Sequence, residues 1–491
     1  MLFSSYEYIF LFLPITFFAY FGLNRLGLEI IGKVWLVAAS LFFYAWFNIY
    51  YLPILLGTVI VNFGFGIALS KANWRSSTRK LVLILGIVFN IALLGYFKYA
   101  DFLIKNYNAL TGSSVPLLHI LLPLALSFVT FQMIAFLVDS YNHKVKEYSP
   151  LTFTLFASFF PQQIAGPIVH HSEMMPQFAS RQNLRLNYDN IALGLFIFSL
   201  GLFKKVMIAD TFAIWADSGF GHAGEFGFHQ AWVTSLSYTF QLYFDFSGYT
   251  DMAIGSALLF NIRLPINFNS PYKALDIQDF WRRWHITLSR FLRDYIYIPF
   301  GGNRNGELRT YANLFATFLI GGLWHGASWM FVIWGALHGT ALIIHRVWSK
   351  TGFRLPGPLA WLLTFNFVNI AWVFFRAPDL DTAERLLYGM VKFTGAFSSD
   401  LSILPTASLA ALGFMADYFA EYLGTSGVIY AVQITAILCS FVLISLKNTS
   451  QIYLEARPLS WCRVFLGGTA AGTAAIASLT STSAVFLYFN F

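Results

Sequence analysis

The chain has 491 residues, of which 57% are hydrophobic, 19% aromatic and 11% charged, with a formal net charge of +8. An average soluble domain carries roughly 25% charged residues, so this composition excludes an ordinary soluble enzyme and points to a polytopic membrane protein. The positive charge does not mark a nucleic-acid binder, because most basic residues fall in short loops between apolar runs, where membrane topology explains them.

Runs apolar enough to cross about 30 Å of hydrocarbon lie near 8–24, 34–48, 50–70, 80–97, 115–138, 191–215, 231–260, 311–348, 358–376, 401–423, 427–447 and 464–491. Unpaired backbone is costly in lipid, so the spans are expected to be helical and any irregular stretch to line a cavity or lie within protein. The expected fold is all-α, with about 11 to 13 membrane helices plus re-entrant or interfacial helices.

The first run has no basic residue before Arg25 and no small-x-small cleavage pattern, so it reads as a membrane helix and not as a secretory leader. KANWRSSTRK, at 71–80, carries Lys71, Arg75, Arg79 and Lys80, whereas the turn at Asn48–Tyr51 carries no basic residue. Basic loops stay cytoplasmic, which puts the N-terminus on the outer side of the membrane. Residues 1–394 are expected to form the core and 395–491 a set of C-terminal membrane helices continuous with it. The composition shift at TGAFSSDLSILPTAS marks the join. Near the end, Gly468 and Gly472 have the small-xxx-small spacing that favours close helix packing. Cys439 and Cys462 supply neither a disulfide framework nor a metal cluster.

WRRWHITLSRFLRDYIYIPFGGNR, residues 281–304, interrupts the apolar pattern with five arginines and a histidine. Wound as one helix, it puts Trp281, His285, Leu288 and Leu292 within about 60° of one another. Arg282, Arg283, Arg290 and Arg293 fall on a separate arc of about 100°. Such a helix suits the cytoplasmic interface, with its arginines facing lipid headgroups. From 263 to 309 there are eight basic residues against four acidic ones, a density that also suits phosphate, which guanidinium binds bidentately.

The following stretch, 310–348, holds 39 residues with no charge before Arg346, yet contains His325 and His338. Gly321, Gly322 and Gly326 are expected to interrupt the helix beside His325. An ionisable group in irregular backbone at membrane depth is a functional candidate, to be weighed evenly against a packing histidine. His338 lacks that context and reads as packing.

Asp245 and Asp251 lie in another apolar run, expected to break at Ser247–Gly248; they either line a cavity or, the favoured reading, pair with arginines to hold the fold. Asn303 and Arg304, beside Gly301–Gly302, are candidates to contact a phosphate or simple turn residues. GFGHAG, at 219–224, fits a dinucleotide fingerprint but follows no strand and is a chance match.

WRRWHITLSRFLRDYIYIPFGGNR followed by GGLWHGASWMFVIWGALHG resembles the membrane-bound O-acyltransferases, within them the bacterial alginate O-acetyltransferase type. FFPQQIAGPIV, LALSFVTFQMIAFLVDSY, QLYFDFSGYTDMAIG and the opening MLFSSYEYIFLFLPI extend the likeness to about residue 376. Gln163 departs from it, standing where an aliphatic residue is expected. The resemblance implies helices around a central funnel open to a cytoplasmic acyl donor, with His325 catalytic, His285 a second essential residue, and Trp324 beside them in the funnel.

Moving acetyl from a thioester to a hydroxyl needs a base for the alcohol proton, and imidazole serves near neutral pH. The implied donor is acetyl-CoA, with no bound cofactor or metal. The acceptor is a hydroxyl of an extracytoplasmic glycan (alginate, peptidoglycan, cellulose or another polysaccharide) or a periplasmic SGNH-type acetyltransferase that acetylates it. No Ser-His-Asp order or G-x-S-x-G elbow is present, so a covalent serine intermediate is not expected. The rivals are a transporter of an acyl or lipid-linked sugar group, whose helices are also broken by polar residues, and a scaffold for a periplasmic transferase.

Overall fold

A computed structural model describes residues 1–71, 74–145, 148–164, 166–393, 414–455, 460–480 and 487. Every regular element among them is helical. Among the described residues, seven helices are long and apolar enough to cross a membrane: Glu7–Arg25, Ile49–Ser70, Ser76–Thr111, Tyr188–Phe220, Trp329–Ser349, Gly357–Arg376 and Gly427–Glu455. Phe18, Ile60, Leu121 and Val442 are exposed on the outer surface, as lipid contact demands and as a soluble protein avoids. The expected join near 395, much of the 401–423 run and the tail of the last run lie outside the described residues.

Local chemistry sets many helix boundaries. The side chains of Asn187, Asp276, Ser328 and Asp379 each accept a backbone N–H in the first turn of the helix that follows, satisfying donors that have no partner within the helix. Gly112, at φ +69, ends Ser76–Thr111 in the left-handed conformation that lacks a steric penalty only for glycine.

Phe228–Leu259, 32 residues long, is the central helix, with almost every side chain beyond Ala231 buried. It runs unbroken through Ser247–Gly248, where an interruption was expected. Gly248 has a packing role instead. A Cβ on Gly248 would stand 2.7 Å from the Gly201 carbonyl, and one on Gly255 would stand 2.6 Å from the Gly194 carbonyl. Two glycine pairs thus let Phe228–Leu259 and Tyr188–Phe220 touch backbone to backbone.

Glu307–His325 and Trp329–Ser349 form an antiparallel hairpin. Gly321 and Gly322 do not break its first helix, contrary to expectation; it runs to His325, and extended Gly326 (φ −164) ends it. Gly322 lies against the Phe331 carbonyl and Gly335 against that of Phe318, so the glycines serve the hairpin's close contact.

The last helix, Trp461–Thr480, packs on Tyr188–Phe203. Its close approach is made by Gly467 against Phe196, while a Cβ on Gly468 or Gly472 would meet nothing within 4 Å. Helical periodicity explains the shift, since one residue turns the face by about 100°.

Candidate active site

The 281–297 stretch is not one helix. It breaks into Ile277–Arg283 and Ile286–Leu292, and His285 stands at the joint with φ +42. That left-handed conformation is uncommon for a residue with a Cβ and is often kept at functional positions. The joint is held by buried Asn267. Its backbone carbonyl accepts Ile286 N–H at 2.9 Å. Its Oδ1 accepts from Thr287 N–H at 3.2 Å and Thr287 Oγ1 at 2.9 Å, and lies 3.1 Å from His285 Nδ1. A carbonyl oxygen only accepts, so Nδ1 carries the proton and Nε2 is the basic nitrogen of the neutral ring.

His325, also buried, closes the Glu307–His325 helix within a ring of aromatic side chains: Trp324 at 4.9 Å, Trp334 at 5.1 Å and Phe375 at 5.1 Å between centroids. The Trp324 ring stands 6.5 Å from that of His285. The fold therefore brings His285 and His325, distant in sequence, to the same indole, that of Trp324. Trp324 stacks on Phe131 (4.8 Å), Phe131 stacks in turn on Phe291 (4.0 Å), and Phe291 contacts Tyr295 (4.9 Å).

His338 is separate. Its Nδ1 accepts from Trp281 Nε1 at 3.2 Å, and Trp334 lies between it and His325, 4.8 Å from one ring and 5.1 Å from the other. Indole N–H only donates, so a neutral His338 holds its proton on Nε2, the opposite tautomer to His285.

Asp245 and Asp251 pair with lysines, not with arginines as the sequence suggested. Lys205 Nζ lies 2.8 Å from both Asp245 and Asp210, and Lys204 Nζ lies 2.7 Å from Asp251. Leu487 N–H also donates to Asp245 at 2.8 Å. Lys204 and Lys205 occupy a wide π-helical turn, Lys204–Ala209, in the middle of Tyr188–Phe220. The extra residue in such a turn points consecutive side chains inward, and these turns recur at functional positions.

The arginine arc is mostly committed within the protein. Arg290 forms a two-pronged pair with Glu173 at 2.6 and 3.1 Å, Arg283 binds Asp279 at 2.9 Å, and Arg293 binds Asp294 at 2.7 Å. Arg282 is exposed with no ion pair among the described residues. Asn303 and Arg304 are exposed in the turn around Gly301 and Gly302, which take φ +110 and +56. Beside Arg290, the Tyr295 hydroxyl lies 3.0 Å from His170 Nδ1, and that nitrogen lies 3.5 Å from Asp139. The neighbouring His171, in the short helix His171–Ala179, is packed on Phe136 and Phe156, and burial pushes its imidazole down to about 4.

Gln163 has a local explanation for its place in an aliphatic position. It is buried with its amide 3.2 Å from the carbonyls of Ser40 and Ser158, so its amide N–H groups satisfy backbone acceptors there.

Residues that the sequence reading passed over are Lys98, Lys204, Lys205, Asn267 and Tyr295. The two adjacent lysines inside the 191–215 run were detectable by the rule that led to the aspartates, because intramembrane charge requires a partner. Asn267 carried no such signal, since only tertiary contact places it under His285.

Fold and site together define a polytopic helical membrane protein with a buried imidazole centre. The chain belongs to the membrane-bound O-acyltransferase (MBOAT) family, whose profile matches residues 85–377, and it is an O-acyltransferase. It is 48% identical to the peptidoglycan O-acetyltransferase of Helicobacter pylori over 527 aligned positions, covering 100% of this chain and 98% of that relative. It is 42% identical to the probable alginate O-acetylase AlgI of Pseudomonas aeruginosa, covering 80% of this chain and 75% of the relative. A teichoic acid D-alanyltransferase of Bacillus subtilis is 28% identical, over 51% of this chain and 68% of the relative. Family membership sets aside the transporter and scaffold readings as the primary function.

Proposed function

We propose that this protein is an inner-membrane O-acetyltransferase that takes acetyl from cytoplasmic acetyl-CoA and delivers it to hydroxyls of extracytoplasmic peptidoglycan, directly or through a periplasmic SGNH-type partner. The observation that carries the acceptor is the match to a peptidoglycan O-acetyltransferase along 98% of that relative's length. The reading gives the N-terminus to the periplasm and the basic 71–80 loop to the cytoplasm.

In this reading His325 is the general base. The acceptor oxygen attacks the acetyl carbonyl, its proton passes to the imidazole, and the carbon–sulfur bond breaks. The proton then moves to the departing thiolate, and an ester and free coenzyme A result. His285 Nε2 is the second basic nitrogen beside Trp324, suited to orient the acceptor or pass the proton. The aromatic walls limit water, the competing acceptor. Arg282, exposed and without an ion pair among the described residues, is the arginine of the 282–293 arc available to a donor phosphate.

The test supplies acetyl-labelled acetyl-CoA to vesicles holding the purified protein and its cognate partner, and in parallel measures base-labile acetate on glycans from cells lacking the gene. Label on muropeptides, lost in the deletion strain, is the expected result. Label on another polysaccharide would move the acceptor, an intact thioester would refute the donor, and a cysteine at position 75 labelled from outside would reverse the topology.

A further inference from the structure

We propose that Lys98 is the positioning residue for His325, holding the end of the His325 helix in place from a different part of the chain. This inference rests on the reading of His325 as the base. Glu307–His325 stops abruptly because Gly326 is extended, so its last carbonyls have no partner four residues on. In this protein those acceptors are met by another helix. Lys98 Nζ donates to the carbonyl of Trp324 at 2.7 Å and to that of His325 itself at 2.9 Å. The Tyr99 hydroxyl donates to the Leu323 carbonyl. Three consecutive carbonyls leading to the imidazole are therefore fixed by two adjacent side chains.

The sequence around Lys98 is shaped for this task. Gly95–Tyr99 is a wide π-helical turn inside Ser76–Thr111, which turns both Lys98 and Tyr99 toward the hairpin. A cation at the C-terminal end of a helix is also favoured by the partial negative charge there. Ser127 completes the arrangement: its Oγ lies 3.4 Å from Lys98 Nζ, and its carbonyl accepts from Trp324 Nε1 at 3.3 Å.

An ammonium group has three donors, and Lys98 has three acceptors: two carbonyls and the Ser127 hydroxyl. No N–H remains for a reacting group, so Lys98 acts through His325 and not on the substrate. Loss of this cap leaves the imidazole ring intact but releases its backbone. A displacement near 1 Å is enough to cost a reaction about a hundredfold.

The experiment compares Lys98→Met, similar in length but without donors, and Lys98→Gln, whose amide keeps two, in the reconstituted full chain. Turnover is measured per folded molecule, alongside the KM for acetyl-CoA and the melting temperature. The expected result is a fall in kcat of about tenfold to a hundredfold in Lys98→Met, with KM for acetyl-CoA changed less than about twofold and part of the loss restored in Lys98→Gln. Normal turnover per folded molecule in Lys98→Met would overturn the proposal, as would a loss confined to KM or a failure of both variants to fold. His325→Ala, run beside them, separates the two readings. If it is inactive while Lys98→Met is normal, only the positioning role falls; if it is active, both fall.

Discussion

Asn267 Oδ1 lies 3.1 Å from His285 Nδ1 and binds both the backbone and the side chain of Thr287, so one amide sets the tautomer of the histidine and the bend that presents it. Asn267→Leu removes the acceptor and leaves three donors facing an apolar side chain. A buried donor without a partner costs about 1 to 3 kcal/mol. The variant is expected to melt lower and to lose turnover beyond its loss of folded protein. A variant that melts lower but turns over normally per folded molecule would make the amide purely structural.

The two histidines flanking Trp334 are expected to respond oppositely. His325→Ala leaves a folded protein whose acetyl transfer falls by about 10² to 10⁴, the range of acid–base catalysis. His338→Ala removes the ring that accepts from Trp281 and lowers the melting temperature more than the turnover. Near-normal turnover in His325→Ala refutes its assignment as base.

The buried Lys205 neutralises two carboxylates, Asp210 and Asp245, whereas Asp245 answers to one lysine. Lys205→Met is therefore expected to be the more damaging change. It strands two carboxylates, and breaking a buried pair from one side typically costs about 3 to 5 kcal/mol. Asp245→Asn keeps an acceptor for the Leu487 N–H and leaves Lys205 with Asp210. Thermal unfolding of the two variants in the same detergent checks the order.

The arginines divide by partner. Arg290→Lys loses a two-pronged contact with Glu173, so it is expected to lower stability without changing the KM for acetyl-CoA. Arg282→Ala is expected to raise that KM and leave the melting temperature unchanged, since no ion pair is lost among the described residues. An unchanged KM in Arg282→Ala would leave Arg282 to lipid headgroups alone.

His171 makes stability depend on pH. Its folded value is about 4 against roughly 6.5 for an unfolded histidine. Below about 6.5 the unfolded chain takes up a proton that the folded one refuses, so stability is full above that pH and declines as pH falls toward 4. Melting temperature is expected to drop over this interval, and less steeply in His171→Phe, which keeps the packing on Phe136 and Phe156. Parallel curves for the two proteins would remove His171 as the source.

The sequence by itself determined the class. Runs of apolar residues in a chain with 11% charge admit only helices in lipid, because a helix satisfies its own backbone without reference to neighbours. It also singled out His285 and His325, since an ionisable side chain in an apolar context stands out whatever the fold. Tertiary structure alone decided what those residues meet. The break at His285 could not be found by helical periodicity, because the alternative to one straight helix was supplied by Asn267, 18 residues earlier. The aspartates found lysines because a wide turn aims Lys204 and Lys205 inward, and Arg290 was neutralised by a carboxylate from another segment, Glu173, while Arg283 and Arg293 met Asp279 and Asp294 close by in the chain. Glycines read as breaks became contacts because a missing Cβ serves either purpose, and only the neighbouring backbone selects which. The His325 helix is finished by Lys98, 227 residues away in the chain, because the acceptors at a helix end are local while the donors that satisfy them can come from any helix packed against it.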